Sequence, residues 1–363
     1  MRKTTFLLIL WLLTAATVGA QDRADSVRNV IFMIGDGMGL AHISMLQIEN
    51  DYAPTAFERA EGVALVVTRS ANNRVTDSAA AGTALATGHK TGNGRLGQDM
   101  EGRRLESLVA RAHAAGRPTG IVVTSYLQHA TPAAFYAHVG DRGDQRTITG
   151  QLLESGVDVL LGGGRKWLAA ECAEGGSYYD AFRRRGYQVI DTLPAADTIR
   201  SGRLLGALAE GHMPGLPERG DYLCRATRKA LDILSADAAG GGFVLMVEGS
   251  LIDMAAHSND AKELVGELRD FECAVAAAMD FADRTPGTLV VVVADHETGG
   301  LSIPANKTDF TQAENGLNYN FGTRSHTASM VPAYLYGTGA RGLSGVMDNT
   351  ELSRRVGRLA GLE

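Results

Sequence analysis

Three separate apolar runs of this chain each end in side chains that bind metal ions well. They are Val30-Ile-Phe-Met-Ile-Gly-Asp36, Phe243-Val-Leu-Met-Val-Glu248 and Leu289-Val-Val-Val-Val-Ala-Asp295-His296. Short runs rich in Val and Ile read as strands buried on both faces, as in a parallel sheet. In open parallel sheets ligands bind beyond the carboxyl ends of the strands. The pattern therefore collects carboxylates and a histidine along one sheet edge. Carboxylates gathered there repel one another unless cations neutralise them, which makes a multi-metal site the first expectation.

The 363 residues are 45% hydrophobic and 21% charged, an ordinary globular balance with ample material for a core. Strand–helix alternation favours one large α/β unit over several domains. A basic start at Arg2 and Lys3, the apolar run Phe6–Leu13 and the small residues Val18-Gly-Ala20 read as a signal peptide over residues 1–20. The expected product is a single catalytic domain over residues 21–363, periplasmic or secreted, with no membrane anchor after cleavage. Loss of Arg2 and Lys3 takes the formal charge from -6 to -8. A mildly acidic chain is a poor nucleic-acid ligand, and any anion site in it must be locally positive. An oxidising compartment permits one disulfide among Cys172, Cys224 and Cys273. Cys172 with Cys224 is the expected pair, with Cys273 a small buried hydrophobe.

The patterning predicts strands at 27–36, 63–68, 119–124, 157–161, 243–248, 289–295 and 331–336. It predicts helices at 40–49, 77–88, 105–115, 131–138, 221–236, 259–283 and 350–359. Residues 165–220 are the least regular, and 299–324 read as loop.

Asp253 and His257 are four apart, so one helical turn brings both to one face, a spacing that suits two ligands of one ion. An exposed polar pair at that spacing is about as common; Glu248, just before it, shifts the balance toward a site. Asp295-His296 closes a strongly apolar strand where a charged pair has little structural purpose. Asp36 sits in Gly35-Asp-Gly-Met-Gly39, which lacks the full dinucleotide spacing, so a metal ligand is the better reading. Ser78 or Asp77 starts the Ala-rich helix, where free amides and the positive dipole end favour an anion. A plain N-cap is the commoner role of such residues. No His lies within a few residues of Ser78, so a metal ion would have to activate it.

The stretches NVIFMIGDGMG, VTDSAAAGTALATG, HATPAAFYAHVGDR, MVEGSLIDMAAH, VVADHETGG and RSHTASMVPAY together resemble the alkaline phosphatases, in the family's order over nearly the whole mature chain. The resemblance implies a three-layer α/β/α fold with a large, mostly parallel central sheet. It implies hydrolysis of phosphate monoesters through a phosphoserine on Ser78, with Arg142 holding phosphate and Asp77 orienting Arg142. It implies Asp253, His257 and His326 on a first zinc, and Asp36, Asp295 and His296 on a second. Asp36, Glu248 and Thr131 fall on a third, magnesium site. A homodimer is the family's usual assembly.

Two positions depart from the family. His129 stands at the third site where some members carry Asp, so zinc or cobalt could compete with magnesium there. Met254 stands where some members place a Lys or His that reaches phosphate through water, which implies weaker phosphate binding. Little room remains between His296 and His326 for the surface insertion of some members. His42, His89, His113, His138 and His212 match no ligand position and read as structural or surface groups. The competing readings are a phosphodiesterase or sulfatase-like hydrolase of the same metal architecture, and a non-catalytic metal- or phosphate-binding protein. The sulfatase reading fails because Ala79-Ala-Ala-Gly82 follows Ser78 instead of the x-Pro-x-Arg its nucleophile requires.

Overall fold

The Val- and Ile-rich runs become the middle of one sheet. The computed structural model describes residues 26–304 and 318–363; the expected signal peptide lies outside these residues. The strands are β1 (Asn29–Gly35), β2 (Gly62–Val67), β3 (Thr119–Tyr126), β4 (Val159–Gly163), β5 (Gln188–Ile190), β6 (Leu204–Ala207), β7 (Val244–Gly249) and β8 (Thr288–Val293). Short pieces follow at β9 (Glu297–Thr298), β10 (Leu301–Ser302), β11 (Asn320–Phe321) and β12 (His326–Thr327), then β13 (Val331–Gly337) and β14 (Gly345–Asp348). The ten-stranded sheet runs β14-β2-β13-β8-β1-β7-β3-β4-β6-β5, and only β13 is antiparallel to its neighbours. Every residue of β1, β7 and β8 is buried, as strands covered on both faces must be.

Helices cover both faces. Tyr222–Asp237 and Ala261–Arg284 pack on each other and on the central strands. Ser78–Thr87, Leu108–Ala114 and Asn349–Ala360 form the other layer. The architecture is thus α/β/α, built on one large, mostly parallel sheet.

Register sets the site. β8, β1, β7 and β3 are consecutive neighbours. Ile34 pairs with Glu248 on one side and Val293 on the other, so Asp36 and Asp295 lie level, two residues beyond. Val123 pairs with Glu248, which delivers the segment after β3, with His129 and Thr131, to the same edge.

Several expectations change. The helix expected at 131–138 is one turn, Ala130–Ala133, while Gln145–Glu154 is a helix that the patterning did not show. The irregular 165–220 stretch holds β5, β6 and the helices Arg165–Leu168 and Tyr178–Arg184. The expected Cys172–Cys224 bond is wrong: Cys224 is bonded to Cys273, and Cys172 is a buried free thiol. Cys224 and Cys273 sit on the two docked helices Tyr222–Asp237 and Ala261–Arg284, whose packing brings their Cα atoms to 5.4 Å.

Candidate active site and metal centre

Ser78 opens the helix Ser78–Thr87, all of whose residues are buried. Small residues allow this: a Cβ on Gly82 would stand 3.1 Å from Cβ of Ala134. Asp77 is the N-cap, accepting from the Ala80 amide at 3.0 Å. Its other oxygen accepts from the Gly94 amide at 3.0 Å and from Arg142 Nη1 at 3.1 Å. One carboxylate therefore starts the helix that presents Ser78 and anchors the guanidinium beside it. Arg142 remains about 30% exposed, so its guanidinium can be reached from solvent. Its Nη2 lies 3.3 Å from His129 Nε2. Arginine can only donate, so with no ion bound His129 Nε2 is the acceptor there.

Behind Ser78 the strand ends converge. Ser78 Oγ is 3.3 Å from His296 Nε2, which lies 3.2 Å from Asp295 Oδ2 and 3.5 Å from Asp36 Oδ1. His257 Nε2 is 3.2 Å from both Asp253 Oδ2 and His326 Nε2. The rings of His296 and His326 stack at 3.5 Å. Backbone carbonyls hold the two outer histidines: His257 Nδ1 meets Arg324 O at 2.7 Å, and His326 Nδ1 meets Thr76 O at 2.9 Å. Among the described residues, three groups have ligand atoms mutually within 4.8 Å: Asp253, His296 and His326; Asp36, Asp295 and His296; and Asp36, His129 and Glu248. Asp36 and His296 each belong to two of them. Thr131 is fully buried.

The charges are not closed within the chain. Asp36 is held well above the usual carboxylate range by burial, then by the neighbouring charges of Asp295, Asp253 and Glu248. Burial pushes Glu248 up to about 7. Burial would also raise Asp253, but the hydrogen bond from His257 and the nearby imidazoles hold it low, and that bond lifts His257 to about 9. Burial, followed by the Arg142 charge, depresses His129 to about 3. Both oxygens of Asp36, Oδ2 of Asp295, Oε1 of Glu248, Oγ1 of Thr131 and Nδ1 of His129 are buried without a hydrogen-bond partner. Unsatisfied buried carboxylate oxygens are costly unless a cation takes them. Mixed imidazole and carboxylate donors suit zinc, and the oxygens of Asp36, Glu248 and Thr131 suit a harder ion. The residues present fit a metal centre.

The model of the alkaline phosphatase family matches residues 27–320. Alkaline phosphatase 4 of Bacillus subtilis (strain 168) is 38% identical over 308 residues, covering 80% of this chain and 66% of the relative, just under two thirds of its length. The Escherichia coli (strain K12) alkaline phosphatase is 32% identical over 93% of this chain and 86% of its own. The solved alkaline phosphatase of the Antarctic bacterium TAB5 superposes with a TM-score of 0.86 at 31% identity, covering 93% of this chain and 99% of that one. The chain belongs to the alkaline phosphatase family. It is a phosphomonoesterase, and the three groups above have the ligand types and spacing to hold metal ions.

Three features of this alkaline phosphatase were not visible in its sequence. Thr298 reaches both Asp253 and His296 with its hydroxyl. Ser125 donates to Glu248 Oε2 at 3.3 Å. His212, expected to be structural or on the surface, has its ring 5.4 Å from that of His129, with Tyr126 beside both. A lone Thr before a Gly pair and a lone Ser at the end of a buried strand carry no periodic signal, and His212 lies in the irregular stretch. His42 is the buried structural group expected: its Nδ1 accepts from the Gly39 amide at 3.0 Å.

Proposed function

We propose that Ser78 is the nucleophile of a phosphomonoesterase that works through a phosphoserine, in one catalytic unit spanning residues 21–363. The carrying observation is the corner where the Ser78 hydroxyl, the anchored Arg142 and the open carboxylate cluster meet. Asp253, His257 and His326 would hold a first zinc, and Asp36, Asp295 and His296 a second. Asp36, Glu248 and Thr131, with His129 beside them, would hold a third, Mg-type ion. Bound there, the ions lower the pKa of attacking hydroxyl and water and neutralise charge on the attacking and leaving oxygens.

The protein's own groups do the rest. Asp77 fixes Arg142 so that its fork donates to two equatorial phosphate oxygens. The helix start places a positive dipole end under the developing charge. Ser78 Oγ attacks phosphorus and the alcohol leaves. Water then cleaves phosphoserine, returning Ser78 and releasing inorganic phosphate. No pocket walls for one alcohol are required, which supports broad monoester specificity. His129 replaces an oxygen donor, which leaves magnesium less secure and zinc or cobalt able to compete. In support, a histidine-to-aspartate variant of the TAB5 enzyme is described with magnesium in its M3 site.

The leader pattern supports a periplasmic or secreted location, and family practice supports a homodimer. Among the described residues no helix is long and apolar enough to cross a membrane. The test is acid-quenched labelling with radioactive phosphate, alongside turnover of p-nitrophenyl phosphate and its bis ester. Label on Ser78 and strong preference for the monoester are expected. Ser78→Ala should lose label and roughly 10⁴-fold or more of turnover; label retained in that variant would sink the assignment.

A further inference from the structure

We propose that Thr298 is a positioning residue whose single hydroxyl ties the first and second ion sites together. The inference rests on the metal assignment above and concerns a side chain outside it. Thr298 is fully buried. Its Oγ1 lies 2.5 Å from Asp253 Oδ1 and 3.2 Å from His296 Nδ1. A hydroxyl has one proton to give, and a carboxylate can only accept. The proton therefore points at Asp253, and the hydroxyl oxygen receives N–H from His296 Nδ1. This puts the His296 proton on Nδ1 and leaves Nε2 bare. Nε2 is the nitrogen that faces Ser78, Asp295 and Asp36. Imidazole binds a metal ion through its unprotonated nitrogen, and the partner of the other nitrogen decides which one that is. Thr298 thus selects the His296 tautomer that the second site needs. On the other side its bond restrains the Asp253 carboxylate of the first.

The backbone holds this hydroxyl in place. The Thr298 amide donates to Gly37 O at 3.0 Å, and the Gly37 amide donates to Asp295 Oδ1 at 3.1 Å. β9 pairs with β12, setting Thr298 opposite His326. Glu297 accepts from the Leu301 amide and from the Thr327 hydroxyl, closing the far side of that pair. Gly37 lies directly over the relay. Its φ is +74°, and a Cβ there would come within 2.8 Å of both Asp253 Oδ1 and Thr298 Oγ1. A hydroxyl gripped this tightly transmits displacement: an ion leaving one site shifts a ligand of the other.

The test uses the zinc-loaded full protein, titrated with EDTA, with zinc per chain measured by mass spectrometry. Thr298→Val keeps the branched shape and removes the hydroxyl; Thr298→Ser keeps the hydroxyl. The serine variant should release zinc at the wild-type chelator concentration. The valine variant should release both ions together at about 10–100-fold lower chelator, the range typical for loss of a group that orients a ligand. Thr298→Ala gives the same reading should valine not fold. A hydroxyl-free variant that retains both ions, or loses only one, overturns the proposal, as does a serine variant that behaves like valine. Wild-type protein that binds no zinc would instead remove the metal assignment itself, a distinct failure.

Discussion

Among the described residues stand two clusters of buried charge, and they are closed in opposite ways. In one, Arg219, Glu267 and Asp270 have side chains 0%, 1% and 4% exposed. The guanidinium donates to both Glu267 oxygens at 3.1 and 2.6 Å, to Asp270 Oδ2 at 3.2 and 2.9 Å, and to Pro214 O at 2.8 Å. The chain supplies its own cation, leaving only Asp270 Oδ1 without a partner, and the result pins the 211–220 loop to the helix Ala261–Arg284. In the other, Asp36, Glu248, Asp253 and Asp295 gather at the sheet edge with histidines as neighbours and several orphaned oxygens. Buried anions with an internal cation mark structure. Buried anions whose oxygens the chain leaves unmatched, as on Asp36, Glu248 and Asp295, mark a place for ions from outside.

The comparison breaks if the two clusters respond alike to loss of a charge. Arg219→Ala strands two buried carboxylates and should cost about 3–5 kcal/mol of stability. Zinc content and turnover per folded molecule should stay unchanged in metal analysis and p-nitrophenyl phosphate assays. A loss of zinc would make that cluster part of the site.

Glu248→Gln should act in the opposite sense when metal is absent. Folding raises the Glu248 pKa from 4.5 to about 7. Its stabilising share is fully present below the unfolded value and is lost as pH rises through the folded one. Through Glu248 the metal-free wild type should therefore weaken by on the order of 3 kcal/mol across that window, and the glutamine variant should weaken by that much less. Urea unfolding of both metal-free proteins at about pH 4.5 and pH 8 measures the widening gap; a constant gap contradicts it.

The smallest effect concerns the third site. His129→Asp should raise magnesium affinity by roughly 10-fold, by restoring an oxygen donor. Chelation followed by magnesium add-back reads this as stronger magnesium dependence, and unchanged dependence counts against it.

Much of this organisation is legible in the chain. Runs such as Leu289–Val293 have no polar face, so they declare central strands, and the residues that follow declare the sheet edge. The part held by distant segments is less legible. His326 reaches the site only because β12 pairs with β9, and it enters the reading through family motifs alone. Thr298 and Ser125 act through hydroxyls whose partners lie 45 and 123 residues away. The helix Gln145–Glu154 was missed because QRTITGQLLE carries few apolar residues to show a period. The disulfide was misassigned because it depends on how two helices dock, which spacing between cysteines does not encode.

The central claim is that the open carboxylate cluster is completed by ions and that catalysis depends on them. Stripping the protein with a chelator, then titrating zinc while following phosphomonoester hydrolysis and bound metal together, tests it most directly. The account predicts no turnover without metal and a rise that saturates at two zinc ions per chain. Full turnover in the stripped protein, or saturation at one ion, would contradict it.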